Sequence, residues 1–125
     1  MKYDPDHDID VEAWLALDED ERIALVSDYH RRRRIRLPNR NVHATIHVIV
    51  ENQLALGDKF PASSVLRRLM SEGLDRHEAV HALGSVLAGQ IFNALKGNSV
   101  GTDPNAEYVE KLNGLTAQSW RKQFS

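Results

Sequence analysis

The sequence predicts an all-α protein: a single compact domain of about four main helices in a bundle-like arrangement, with short helices near both ends. Apolar residues recur at helical spacing along most of the chain, acidic or small polar residues stand where helices would begin, and glycine or proline follows them. At 125 residues, with 42% hydrophobic residues, the chain can bury one core. Residues 1–9 are expected to be a flexible acidic segment, and residues 10–125 to form the helical domain.

The first two predicted helices lie in the acidic part of the chain. A short helix should follow Asp10. A longer one should begin at Asp18, which has Glu21 three residues later at the spacing of a capping box. Its acidic start and its arginine-rich end both suit the helix dipole. Pro38 is expected to stop it.

The next helices are separated by glycines. The stretch HATIHVIVEN is rich in β-branched residues and could be a strand, but its length, its i, i+4 repeat and the glycine at its end favour a helix. Asp75 and Glu78 have a second capping-box spacing at the start of the longest helix. The predicted bounds are 41–56, 63–72, 76–96 and 106–113, with a last turn after Thr116.

Two of these helices each carry two histidines four residues apart, His43 with His47 and His77 with His81. Side chains at i and i+4 lie on one helix face, about 5–6 Å apart at Cβ, so each pair could share a metal ion. Glu51 extends the first row by another turn. Because the chain has no cysteine, any metal must be held by histidine, aspartate or glutamate. The predicted ligand set is therefore His43, His47, His77 and His81 with Glu51.

Both histidine rows are expected to face the core. The first continues into apolar residues, and the second continues into Gly84 and Ala88, which would let another helix approach closely. The leading hypothesis is a site for a transition metal, with zinc, iron, nickel or copper all suited to imidazole. If a coordination position stays open, metal-assisted hydrolysis by a bound water follows. If all four histidines bind one ion, the site is structural.

A second interpretation needs no metal. The histidines would form a buried hydrogen-bond network with carboxylates, in an interaction or dimerisation module that assembles as a homo-oligomer. Buried polar groups are costly unless they are hydrogen-bonded, so such a network must satisfy every imidazole. Chance placement of the histidines is a third interpretation.

A third class of function is suggested by His77-Glu78-x-x-His81, the HExxH pattern of zinc peptidases, in which Glu78 would be the general base. Such a site needs a third ligand, which only Glu107 or Glu110 could supply downstream. The pattern also leaves the other histidine pair unexplained, and Glu78 could simply close the capping box with Asp75. The peptidase interpretation is therefore disfavoured.

The charge distribution raises the question of nucleic-acid binding. Residues 1–30 hold ten acidic and two basic residues, whereas residues 31–40 hold six arginines and no acid. The run Arg31, Arg32, Arg33 and Arg34 could contact phosphates. Few aromatic residues accompany it, and pairing with the acidic arm explains it better. With no signal peptide and no stretch of roughly 20 apolar residues, a cytoplasmic protein without a membrane segment is expected.

The segments HATIHVIVENQL and LDRHEAVHALGSVL together resemble a family of small bacterial proteins, a domain of unknown function with paired helical HxxxH motifs. That family's pattern is HxxxHxxxxxQ followed about thirty residues later by HxxxH. His43, His47 and Gln53 match its first part, and His77 and His81 match its second. The resemblance covers roughly residues 10–96 and implies a helical fold with a histidine-based site. It implies no activity.

Overall fold

A computed structural model describes residues 1–33, 39–97 and 103–124 of the chain. These residues form seven α-helices and no strand, which confirms the prediction of an all-α, single compact domain. The helices, in chain order, are α1 (Val11–Leu15), α2 (Glu19–Arg32), α3 (Arg40–Ala55), α4 (Ala62–Ser71), α5 (Arg76–Leu95), α6 (Pro104–Gly114) and α7 (Ala117–Phe124).

Both predicted capping boxes are present. At the start of α2 the Asp18 carboxylate accepts from the Glu21 backbone N–H while the Glu21 carboxylate accepts from the Asp18 N–H, and Asp75 and Glu78 do the same for α5. Each box satisfies two backbone donors that a helix start leaves without an intrahelical partner. Gly73, with φ at 109°, makes the turn between α4 and α5 in a conformation that other residues rarely adopt.

The element bounds differ from the predicted ones by small amounts. The stretch HATIHVIVEN lies within α3, as expected, so the strand alternative does not hold. The helix α6 begins at Pro104, two residues before the predicted start, because Asp103 caps it and proline suits the first helical position. The stop expected at Pro38 lies outside the described residues.

The helix α3 lies at the centre of the fold and contacts α2, α4 and α5. On the side of α2, Val48 of α3 packs with Trp14 and Val26 in one apolar cluster. Towards α4, α5 and α6 the helix packs through Val50 in a second and larger cluster, which includes Leu83. A helix shared by two cores is buried along most of its length, so polar side chains on it must find partners inside the protein.

The acidic N-terminal segment is packed against the helices, which differs from the flexible arm expected for residues 1–9. Tyr3 is only 1% exposed, and its ring lies 6.0 Å from that of Trp14 and 5.9 Å from that of Tyr29. The expectation rested on the acidic composition, which gives no weight to a single aromatic anchor. Burial of this tyrosine ring ties the segment to the core.

The helices α3 and α5 run antiparallel and approach closely at Gly84. A Cβ atom placed on Gly84 would lie 3.1 Å from the Ile46 Cγ2 atom, which is tighter than an ordinary van der Waals contact. The absence of a side chain at Gly84 therefore sets how near α5 comes to α3. The close approach expected from the sequence is present at this position.

None of the helices in the described ranges is both long and apolar enough to cross a membrane.

Replacing Gly84 and Gly89 by alanine should have different effects on stability. Both glycines lie inside α5, where alanine is favoured over glycine by about 1 kcal/mol, but nothing lies within 4 Å of a Cβ placed on Gly89. We expect Gly89→Ala to raise the free energy of unfolding. The free energy of unfolding of Gly84→Ala should be lower than that of Gly89→Ala by about 1 kcal/mol or more, because Ile46 must move. Denaturant unfolding measures both, and equal gains would contradict the close packing.

Candidate metal site

Four imidazoles from three helices converge at the junction of α2, α3 and α5. His30, His47, His77 and His81 each offer a ligand nitrogen, and these atoms all lie within 4.8 Å of one another. Nitrogens bound tetrahedrally at about 2.0–2.1 Å from a zinc ion lie roughly 3.4 Å apart. The four histidines are therefore placed so that they could hold one metal ion after a small inward movement of the rings.

Three of the four imidazoles carry a buried nitrogen that lacks a partner. The Nε2 atoms of His47, His77 and His81 are buried and have no hydrogen-bond partner among the residues that the structure describes. Leaving such a group unsatisfied in the interior costs about 1–3 kcal/mol each, and native proteins rarely tolerate several together. One metal ion between the rings would satisfy all three nitrogens at once.

His30 is the member of this group that the sequence analysis did not select. It lies in the last turn of α2, where its Nδ1–H donates to the Val26 carbonyl at 2.8 Å and leaves Nε2 unprotonated in the neutral ring. Ile23, Val26 and His30 follow i, i+3, i+7 spacing, which predicts one buried face. That signal was available, but the run of arginines directly after His30 obscured it.

His43, which the sequence predicted as a ligand, lies beside the group of four. Its Nε2 is 3.1 Å from the Nε2 of His30, and its ring centroid is 4.8 Å from that of His47 and 5.2 Å from that of His81. The group of histidines whose nitrogens lie closest together thus contains His30 in place of the predicted His43, because α2 packs on α3 and brings the His30 imidazole next to His47.

Burial keeps these imidazoles neutral. It is the main cause that lowers the pKa of His43 to about 4 and of His81 to about 3, and neighbouring imidazoles lower both pKa values further. The pKa values of His47 and His77 are also lowered, again mainly by burial. Neutral imidazole is the form that binds metal, so at pH 7 these rings are in the correct state for coordination.

Glu51, the fifth predicted ligand, contacts the histidine group indirectly, through the Tyr3 hydroxyl. Tyr3 donates its hydroxyl hydrogen to the Glu51 carboxylate at 2.6 Å, and the same hydroxyl oxygen lies 3.1 Å from Nδ1 of His47. Burial and the Glu51 charge raise the pKa of Tyr3, so this hydroxyl stays protonated. It can then accept from the Nδ1–H of His47, which leaves the Nε2 lone pair directed at the site.

Arg76 is the second partner of the Glu51 carboxylate. The guanidinium of Arg76 donates to both carboxylate oxygens of Glu51, at 3.0 and 2.9 Å, and the two side chains are 4% and 0% exposed. Arg76 also donates to the Pro5 carbonyl and to the Asp8 carboxylate, both at 2.9 Å. Both Glu51 oxygens are thus engaged by Tyr3 and Arg76, and Glu51 lies outside the group of four histidines found among the described residues.

The glutamates of the peptidase interpretation are used elsewhere. Glu78 accepts from the backbone N–H of Asp75 at 3.0 Å in the capping box, so this carboxylate is engaged at the start of α5. Glu107 forms an ion pair with Lys111 at 3.2 Å. Glu107 and Glu110 are both absent from the histidine group found among the described residues. The structure therefore brings the two histidines of the zinc-peptidase pattern to the site, but not its general base Glu78 or the third ligand expected from Glu107 or Glu110.

The arginines after His30 pair within their own helix. Arg31 and Arg32 each bind the Asp28 carboxylate, at 2.9 and 2.8 Å, and the guanidinium of Arg33 lies over the Tyr29 ring at 5.3 Å. Arg34 lies outside the described residues. Arg31 and Arg32 thus find their partner in Asp28, which is one of the ten acidic residues of the segment 1–30.

A cleft of about 380 Å³ lies between α3 and α5 on one side of the histidine group. His43, His47 and His81 form part of its wall, together with apolar side chains from both helices. Part of the histidine group therefore borders a space that could hold a small molecule.

Comparison with known proteins identifies no matching family model, curated protein or solved structure.

Breaking the buried ion pair should destabilise the protein strongly. We expect Arg76→Met to lower the free energy of unfolding by about 3–5 kcal/mol, because Glu51 is left charged and buried without its cation. The double variant Arg76→Met/Glu51→Leu should recover part of this loss. The exposed pair of Arg31 and Asp28 is the control, where Arg31→Met should cost less than about 1 kcal/mol. Similar losses at both pairs, in denaturant unfolding, would contradict this role of Arg76.

Proposed function

We propose that this protein binds one transition-metal ion through His30, His47, His77 and His81. The observation that carries the proposal is the set of three buried Nε2 atoms without partners, in a group whose ligand atoms all lie within 4.8 Å. The outer contacts support it as well. His47 and His30 each have Nδ1 engaged, by the Tyr3 hydroxyl and by the Val26 carbonyl, which is the usual arrangement behind a metal-binding imidazole.

The donor set restricts the ion to a few metals. Four neutral imidazoles without thiolate or carboxylate suit zinc, iron, nickel and copper, and they disfavour magnesium and calcium, which require oxygen ligands. Zinc fits a tetrahedral set of four nitrogens with no geometric preference of its own. The ion that the protein carries is therefore to be identified by elemental analysis.

The cleft beside the histidines bears on the role of the ion. A purely structural ion is enclosed by its ligands, whereas a catalytic one keeps a side open for water or substrate. The open side at His43, His47 and His81 supports an accessible ion, and hydrolysis by a metal-bound water is the chemistry that such a site would supply. His43 lies half-buried on the wall of the cleft on this side.

The histidine network without metal is the competing function. It is favoured by the contacts His30–His43 and His47–Tyr3, both at 3.1 Å. It leaves the Nε2 atoms of His47, His77 and His81 unsatisfied, which a network built for stability would avoid. The metal site therefore accounts for more of the group than the network does.

Three expectations from the sequence stay predictions. They are the resemblance to the small bacterial family with paired HxxxH motifs, the cytoplasmic location, and assembly as a homo-oligomer. A metal site in this chain would give the resemblance a testable content, since the matched histidines of that family would then be expected to bind metal too.

Elemental analysis of tag-free protein tests the proposed function. We expect about one equivalent of a single transition metal, and a melting temperature that falls when a chelator removes it, because the ion binds the folded state only. His30→Ala, His47→Ala and His81→Ala should each lose the metal. The control is His7→Ala, since His7 is exposed, pairs with Asp4 and lies outside the group.

Two results would contradict the metal site. The first is metal well below one equivalent together with no thermal shift on adding zinc, iron, nickel or copper, which is the behaviour of the network without metal. The second is equal metal loss in His7→Ala and His47→Ala. A separate comparison of His30→Ala with His43→Ala decides which of these two imidazoles is the fourth ligand, and we expect the larger loss of affinity at His30.

Removing the Tyr3 hydroxyl should weaken metal binding without abolishing it. In Tyr3→Phe the Nδ1–H of His47 loses its acceptor, and changes of this kind behind a ligand typically cost about 10–100-fold in affinity. Metal titration against a competing chelator measures the change. Tyr29→Phe is the matched control, because Tyr29 packs on His30 in the same aromatic cluster but is not part of the chain from His47 to Glu51. Equal affinities for the two variants would contradict an orienting role of Tyr3.

A further inference from the structure

The cleft between α3 and α5 has an apolar wall and only a few polar groups. The apolar part is supplied by Val42 and Ile46 of α3 and by Val80 and Ala88 of α5, with Gly84 between them. Its volume of about 380 Å³ is at the lower end of the range for small-molecule sites. A chain of about six carbons or a single aromatic ring fits within this space, since a cavity of roughly 150 Å³ already holds benzene.

The polar side chains on the rim of the cleft are already engaged by their own helices. The Asn39 side chain accepts from the Val42 backbone N–H at 3.1 Å, and the Ser85 hydroxyl donates to the Ala82 carbonyl at 2.7 Å. Among the described lining residues, the buried side-chain polar atoms without a hydrogen-bond partner are the Nε2 atoms of His47 and His81. A polar group of a ligand would therefore be recognised at the histidine end of the cleft.

The charge of the site selects the kind of polar group. Four neutral imidazoles leave the full positive charge of a divalent ion uncompensated, and the nearby carboxylate of Glu51 is neutralised by Arg76. A bound cation is often the largest local charge in a site, so an anionic group is favoured at its open side. Among the residues that the structure describes, none of those lining the cleft is a lysine, arginine, aspartate or glutamate.

We propose that the cleft binds a small carboxylate with an apolar body, with the carboxylate at the metal beside His47 and His81 and the apolar body along Val42, Ile46 and Val80. This inference rests on the proposed metal site and names the class of molecule that the site accepts. A zinc-like ion can expand from four to five ligands when a carboxylate approaches from the open side. The ligand is bound by burial of its apolar body and by its charge, and no covalent step is involved.

The experiment uses full-length protein loaded with Co²⁺, whose visible absorption reports its ligands. The first result is the cobalt spectrum itself, which shows whether the metal site exists. Hexanoate and benzoate are then titrated, with acetate and 1-hexanol as the probes that lack the apolar body or the charge. We expect hexanoate to shift the spectrum with a Kd about tenfold or more below that of acetate, because more apolar surface is buried. The uncharged 1-hexanol should leave the spectrum unchanged.

Two variants of α5 locate the binding. Ala88→Phe places a large side chain at the cleft and should weaken hexanoate binding by about tenfold, with little effect on acetate or on the cobalt spectrum before titration. Ala94→Phe, on the same helix but away from the residues that line the cleft, is the matched control and should bind hexanoate normally. Val42→Ser, at an exposed position, removes apolar wall without filling the cleft and should also weaken hexanoate relative to acetate.

The outcomes separate the two proposals. A normal cobalt spectrum with equal Kd values for acetate and hexanoate, or with Ala88→Phe and Ala94→Phe behaving alike, overturns the carboxylate cleft and leaves the metal site standing. Absence of any cobalt spectrum overturns the metal site, and the carboxylate proposal with it.

Discussion

The buried ion pair between Glu51 and Arg76 is the interaction on which the rest of the structure depends. Arg76 is the first residue of α5 and Glu51 lies on α3, so the pair fixes these two helices at one end of their contact. The same guanidinium holds the N-terminal segment through Pro5 and Asp8. Arginine suits this task because its planar group carries five donors, enough to bind three acceptors in different segments together.

The direction of the hydrogen bonds follows from this pair. Glu51 accepts hydrogen bonds from Arg76 at both carboxylate oxygens and from the Tyr3 hydroxyl, and the Tyr3 oxygen is then open to the Nδ1–H of His47. A chain of three contacts thus decides which nitrogen of His47 carries hydrogen. The charged pair lies close to the neutral imidazoles, but burial affects the two differently. The opposite charges of Glu51 and Arg76 compensate each other, whereas burial lowers the pKa of the histidines and leaves them uncharged.

Much of the helical fold could be predicted from local sequence. Asp18 and Asp75 indicate the starts of two helices through capping contacts that span three residues. Gly84 indicates a close helix approach because no other residue leaves that space. The candidate site could be predicted only in part. His47, four residues after His43 on α3, and the pair His77 and His81 on α5 are each marked by i, i+4 spacing, which is a local property. His30 joins them by the packing of α2 on α3, and spacing along the chain does not reveal that contact.

The contacts that the sequence did not reveal connect residues far apart in the chain. Tyr3 meets His47 across 44 residues, and Arg76 meets Pro5 across 71. Tyr3 stands in a run of acidic residues that by itself favours an unfolded arm, and its burial depends on Trp14 and Tyr29 being in place. Glu51 was assigned to the metal by its register with His47. Glu51 does lie one turn after His47 on α3, but the guanidinium of Arg76 on α5 donates to both of its carboxylate oxygens.

The distribution of the histidines along the chain has a consequence for the order of folding. On its own, α5 offers two nitrogens and α3 only one of the four, so isolated helices can hold an ion weakly at most. His30 and His47 lie 17 residues apart, whereas His47 and His77 lie 30 apart. The set of four nitrogens is therefore complete only when α5 has docked on α2 and α3, and loop closure makes the docking of distant segments slow. An ion would therefore gain most of its binding energy in the last docking step. It would act as a brake on unfolding more than as a nucleus for folding.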